Sequence, residues 1–305
     1  MVSTRYPFRF AVGTLYSNEN AVDLCKLSVE LQTIKSNRHF LIEGFAKREA
    51  HHQLFNHWMS TSDDYDYAIK LDADMQLAHP EMLSRLNRYL RKHPHLQIIS
   101  IPVWDYFTDR LIHGLNVYQS GIRWSLNDDH VFTDRQCHNA SCVRIGIRQL
   151  APAAFHGFYP SSLQSFRYGA QRGLKALTSY QSSAKHGDAG VYLQNIADLR
   201  KQYHRHTDHD RRLALLAAEL ALAGELTESD LNVNSRNAAH WVEVADREPT
   251  NIDSEIRTLS KRSIISPTER AELAKPIQSL LLPRVSAWMR FRYPRKWFLR
   301  ASNPL

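Results

Sequence analysis

The chain has 305 residues, 43% of them apolar and 23% charged, a composition that excludes a wholly disordered chain, a collagen and a coiled-coil rod. It holds 39 Lys and Arg against 31 Asp and Glu, a net charge of +8. Seven of those bases and none of the acids lie in 275–305, so residues 1–274 are nearly neutral and no body-wide nucleic-acid surface is expected.

The first half alternates apolar runs with amphipathic stretches. Residues Phe8 to Leu15 read as a strand, and Asn18 or Asn20 offers a helix cap. Val22, Cys25 and Val29, with Leu24, Leu27 and Leu31, recur at helical spacing. His39 to Phe45 is a second strand. A helix over 48–59 turns Leu54, Phe55 and Trp58 inward, and Tyr65 to Leu71 is a third strand. Pro80 suits a helix start, Leu83, Leu86 and Leu90 give that helix one apolar stripe, and Pro94 ends it. Leu96 to Val103 is a fourth strand. This alternation predicts an α/β fold with a mostly parallel sheet flanked by helices.

Between 104 and 149 the pattern breaks into short strand-like pieces, with turns expected at His113-Gly114 and Asn127-Asp128. Beyond Ser161 helices dominate, over 161–177 and 211–224, and the polar segment 227–268 has weak helical periodicity. The expected division is a catalytic part, 1–178, and a helical C-terminal extension, 179–305.

Three cysteines, Cys25, Cys137 and Cys142, are too few for a disulfide framework and lack the partners of a zinc site. They are expected as free thiols in a reducing compartment. The short apolar stretch at 10–15 carries no cleavage pattern, and the longest apolar-rich run, 213–224, falls short of the ~20 residues that span a bilayer. A cytoplasmic protein is expected.

The chemistry begins where the third strand runs into Asp72-Ala73-Asp74. In extended chain, carboxylates at i and i+2 point to one side. They would emerge at the carboxyl end of a strand, where open α/β sheets bind ligands. Two such hard oxygen ligands suit Mg²⁺ or Mn²⁺ shared with a diphosphate; the alternative is a polar turn. His156 stands in an apolar run just before a helix, where a core or turn histidine with its nitrogens satisfied locally is one expectation. Ser165, Tyr168, Arg172 and Lys175 share one face of that helix. Arg172 and Lys175 there would meet a diphosphate or form a solvated basic face. Asp105, Asp128 and Asp129 are candidates for a general base, although two aspartates in a turn also serve simply to initiate it.

Three pieces in order, Phe10 to Asn20, Phe40 to Gly44 and Tyr67 to Met75, resemble the nucleotide-sugar glycosyltransferases of the GT-A fold, especially family 2. The resemblance covers about 8–103. It implies Thr14, Tyr16 and Glu43 on the nucleoside, Asp72 on the nucleotide sugar and the metal, and Asp74 and His156 on the metal. It further implies a nucleoside-diphosphate-sugar donor and a glycan or glycolipid acceptor, as in cell-surface polysaccharide synthesis. The Gly-Gly-Phe-Asp-Glu acceptor segment and the Glu-Asp pair of such enzymes are not recognisable. A nucleotidyltransferase is the rival enzyme, but Tyr16 to Asn20 contains no Gly, Lys or Arg to cradle a triphosphate. The non-enzymatic rival is a basic protein associated with membrane or nucleic acid.

His51 and His52 are expected at the surface, and His204, His206 and His209 in a solvated polar linker. Residues 280–300 place Trp288, Met289, Phe291, Tyr293, Trp297 and Phe298 among six bases, which suits peripheral contact with an anionic membrane face.

Overall fold

A computed structural model describes residues 6–35, 37–133, 137–182, 186–232 and 234–280. The fold is α/β, with a mixed sheet flanked by helices. Strand β1 (Phe10–Tyr16) leads through α1 (Val22–Glu30) to β2 (Asn37–Glu43), then through α2 (Lys47–Ser60) to β3 (Tyr67–Lys70). Helical crossovers make β1 parallel to both β2 and β3. A short strand β4 (Met75–Leu77) and α3 (Met82–Lys92) precede β5 (Ile98–Asp105) and β6 (Arg110–Gln119).

The mostly parallel expectation fails at β6, which is antiparallel to both β3 and β5. The reason is the connection: only Tyr106 to Asp109 separate β5 from β6, far too few for a crossover. His113-Gly114, expected as a turn, lies inside β6. Gly114 is needed there for proximity, because a β-carbon would stand 2.4 Å from Val103 Cγ2. Pro102, with no N–H for the ladder, sits where the β5–β6 register shifts.

Two small strands, β7 (Trp124–Ser125) and β8 (Cys137–His138), pair separately. Strand β9 (Val143–Ile145) lies parallel to β5. Strand β10 (Ala154–His156) lies parallel to β5 on one side and antiparallel to β4 on the other. The sheet order is therefore β2-β1-β3-β6-β5-β10-β4. The α1 and α3 side is packed with Val12, Ile69, Leu86 and Ile101. The α2 side is packed with Phe55, Trp58, Tyr118 and Trp124.

The helical part comprises α4 (Ser162–Gln181), α5 (His186–His206), α6 (His209–Leu222), α7 (Arg236–Arg247), α8 (Pro249–Arg262) and α9 (Pro267–Leu280). Residue 178 falls inside α4. Ser161 and Gln164 cap α4 reciprocally. Helix α6 is buried from Leu213 to Leu222, and Phe107, Val131 and Phe132 share its core. Its Glu219 is fully buried, and Arg200 at 2.5 Å and Arg270 at 2.9 Å compensate its charge. The polar segment 227–268 folds into α7 and α8, which dock through Ala238, Ala245, Ile252, Ile256 and Leu259. His204 and His206 close α5, and His209 opens α6 and pairs with Asp246 at 3.0 Å, so these histidines lie on helices. No helix among the described residues is long and apolar enough to cross a membrane. Residues 281–305, with their aromatic and basic side chains, lie outside the described residues.

Candidate active site

A cleft opens where β1 and β3 end, closed on its other side by α4. Tyr16, Ser17, Glu19, Phe45, His51, Lys70, Asp72, Asp74, His156, Gln164, Arg167, Tyr168 and Arg172 line it. Asp72 and Asp74 both reach it, but from a turn rather than extended chain: the Met75 N–H donates to the Asp72 carbonyl at 2.8 Å. Ala73 between them is buried, so the turn is anchored with both carboxylates toward the cleft.

Strand β10 delivers His156 beside Asp74. The Gly157 N–H donates to the Asp74 carbonyl at 3.0 Å, and His156 Nε2 stands 3.3 Å from Asp74 Oδ2. On its other side His156 Nδ1 donates to Asp105 Oδ1 at 2.7 Å. Asp105 is fully buried at the end of β5. Its Oδ2 accepts from the Thr108 backbone N–H at 2.9 Å, the Thr108 hydroxyl at 2.6 Å and the Tyr168 hydroxyl at 2.9 Å. Burial alone would lower the His156 pKa. The Asp74 charge and the Asp105 hydrogen bond outweigh it and raise the value to about 10. Asp105 itself is opposed by burial but held below the usual carboxylate range by His156.

Lys70 is buried one strand position before the turn, and its Nζ contacts Asp72 Oδ1. That charge and hydrogen bond outweigh burial and keep Asp72 below the usual carboxylate range. Beneath it the Cys25 thiol donates to the Asp72 carbonyl at 3.7 Å. Burial pushes that thiol up to about 12, so it is unreactive at neutral pH.

Helix α4 supplies the cations. Arg172 stacks over the Tyr168 ring, its Cζ 4.2 Å from the centroid, and among the described residues no ion pair to it within 4.0 Å is seen. Arg167 donates to the Leu231 carbonyl at 3.0 Å and to the Ser17 hydroxyl at 3.4 Å, clasping the loop after β1 to the helical part. Glu19 accepts from the Ser17 N–H and hydroxyl, both at 2.5 Å, and burial raises its pKa.

Of the residues picked from the sequence, Tyr16, Asp72, Asp74, His156 and Arg172 meet in the cleft. Six others do not line it. Thr14 is buried under it, bonded to His39 at 2.9 Å. Glu43 is exposed. Lys175 is buried, its ammonium 5.4 Å from the Phe132 ring centre and 5.7 Å from that of Tyr192. Asp128 is exposed, with Arg48 3.8 Å away. Asp129 organises its own turn, accepting from the Val131 and Phe132 N–H groups at 2.9 and 2.8 Å. Asp105 lies behind His156, with its oxygens engaged, rather than facing the cleft. His51, expected at the surface, is buried and lines the cleft because α2 turns that face to the sheet. Lys70, Glu19 and Arg167 were missed. Lys70 had a local signal, a lysine in an otherwise apolar strand two residues before an aspartate; the other two had none.

Carboxylate oxygen and imidazole nitrogen are a donor set that Mn²⁺ accepts, and Mg²⁺ takes the carboxylate. Two donors at right angles, each ~2.1 Å from an ion, stand ~3.0 Å apart, close to the 3.3 Å between Asp74 and His156. The carboxylate behind Nδ1 is the usual support of a metal-binding histidine. Asp74 and His156 therefore fit such an ion, whereas one oxygen of Asp72 is already engaged by Lys70. No group of three or more such side chains among the described residues forms a ready-made cage. No protein-family model matches the chain, and no curated protein matches it.

Proposed function

We propose that the chain is a metal-dependent glycosyltransferase of the GT-A type, moving a sugar from a nucleoside diphosphate to a hydroxyl of a glycan or glycolipid. The observation that carries this reading is the meeting of Asp74 with His156 in a cleft that also holds Arg172. A carboxylate, an imidazole and a cation suit the diphosphate of such a donor. The order β2-β1-β3, with an aspartate turn at the carboxyl end of β3, supports the same reading.

When bound, Mn²⁺ or Mg²⁺ supplies positive charge that stabilises the departing diphosphate. Asp74 and His156 hold the ion. Asp105 keeps the His156 ring turned so that Nε2 faces Asp74. Arg172 faces the charge that develops on the leaving group. Lys70 keeps Asp72 ionised and leaves its second oxygen for the donor. Tyr16 and Phe45 offer rings at the cleft for the nucleoside. The base expected at Asp105, Asp128 or Asp129 is not carried into this proposal, since none of the three lines the cleft.

The test is a thermal-shift panel of nucleoside diphosphates with and without Mn²⁺. A ligand at 100 times its Kd stabilises by about 2.7 kcal/mol, and the shift should need nucleotide and Mn²⁺ together. No shift with any nucleoside diphosphate would overturn the reading. A lipid-borne acceptor would be reached through the basic segment 280–300. Sedimentation of the full chain with anionic vesicles at low salt tests this, and failure to pellet removes the membrane part alone.

A further inference from the structure

Resting on that metal site, we propose that Tyr168 is a positioning residue. It holds His156 in its ligand orientation through Asp105, and so joins the metal position to the anion-facing Arg172 on the same helix.

The geometry is a continuous chain. The Tyr168 hydroxyl donates to Asp105 Oδ2 at 2.9 Å, Asp105 Oδ1 accepts from His156 Nδ1 at 2.7 Å, and His156 Nε2 faces Asp74 at 3.3 Å. A carboxylate can turn about its Cβ–Cγ bond, and the three donors on Oδ2 prevent this. Thr108 provides two of them from only three residues away, whereas Tyr168 reaches Asp105 from a different element. Its hydroxyl is thus the one of the three that ties the carboxylate to α4.

The Tyr168 ring is itself immobilised. Phe107 stacks on it with centroids 4.0 Å apart and planes 19° apart, and the Arg172 guanidinium covers it at 4.2 Å. Parallel stacking at these distances needs opposite faces of the ring. The next residue, Gly169, presses on the Ala214 backbone, so α4 cannot slide to relieve a misplaced ring. A displacement of Arg172 by an anion therefore reaches His156 through one stacked ring and two hydrogen bonds. None of this makes Tyr168 a catalytic residue; it acts through Asp105.

Tyr168→Phe keeps the stacked ring and removes only the hydroxyl. Two measurements on the full chain decide the case. The first is the ¹⁵N signal of the His156 ring at fixed pH in chelator-treated protein, wild type against variant, assigned with His156→Ala. The second is Mn²⁺ titration followed by the free-ion EPR signal, with and without a nucleoside diphosphate. We expect a changed ring signal, an apparent Mn²⁺ Kd raised ~10–100-fold, and a smaller gain in Mn²⁺ affinity from the nucleotide than wild type shows. An unchanged ring signal overturns the proposal whatever the metal does. So does loss of cooperative unfolding in the variant, since the hydroxyl would then be a structural support. If wild type binds no Mn²⁺, the metal-dependent reading fails, while the ring signal still decides whether Tyr168 orients His156.

Discussion

Gly169 and Ala214 meet backbone to backbone: a β-carbon on Gly169 would stand 1.7 Å from the Ala214 carbonyl oxygen. One turn later Gly173 makes the same approach to Ala218, at 2.6 Å. Tyr168 and Arg172 each precede one of these glycines, so the contact that seats α4 on α6 also aims both side chains into the cleft. A backbone oxygen in a buried helix cannot step aside. Gly169→Ala should therefore destabilise by about 3 kcal/mol or more, at or above the usual range for overpacking. Urea denaturation measures this, and a loss under about 1 kcal/mol would show that the helices part easily.

Asp74→Asn keeps the side-chain shape and removes the charge of the proposed ligand beside His156. Transfer should fall at least ~100-fold, because the ion is worth several kcal/mol of leaving-group charge. The nucleotide thermal shift should lose its Mn²⁺ dependence. Asp72→Asn should spare Mn²⁺ affinity more than Asp74→Asn does, since Lys70 already engages Asp72. Equal Mn²⁺ curves for wild type and Asp74→Asn would refute the ligand assignment.

The pH dependence follows from His156, whose folded pKa of about 10 lies above its ordinary value near 6.5. A raised pKa contributes stability that is complete below ~6.5 and disappears as pH rises to about 10. In chelator, wild-type Tm should fall across pH 7–10 more steeply than that of His156→Asn. Parallel Tm curves for the two proteins would mean that His156 is not held protonated between Asp74 and Asp105.

The neighbouring aspartates of the 127–132 turn should separate. Asp128 is exposed and its contact with Arg48 is a surface pair, so Asp128→Asn should leave both kcat and stability unchanged. Asp129 accepts two backbone N–H groups, and Asp129→Ala should cost about 1–2 kcal/mol of stability with kcat retained. A large kcat loss in the folded Asp128→Asn protein would restore it as a catalytic base.

Periodicity in the sequence alone determined the helices and every strand but β4 in the first hundred residues, because apolar spacing is a local property of the chain, and the aspartate pair after β3 was picked there, though in extended chain rather than in the turn it forms. It also singled out His156 and Arg172, as candidates whose roles stayed open. Only the tertiary structure decided what each of them meets. Asp105 and His156 are 51 residues apart, and they meet because β10 enters the sheet beside β5 in one particular register. The antiparallel placement of β6 depends on the four-residue connection 106–109, whereas the turn expected at His113-Gly114 lies inside the strand. His51 read as surface because a histidine pair on a polar helix carries no mark of which face will be buried. Arg167 and Glu19 could not be found from spacing at all. They reach one cleft from positions 148 residues apart, both bonded to Ser17, and that convergence depends on how α4 packs rather than on any pattern near those two side chains.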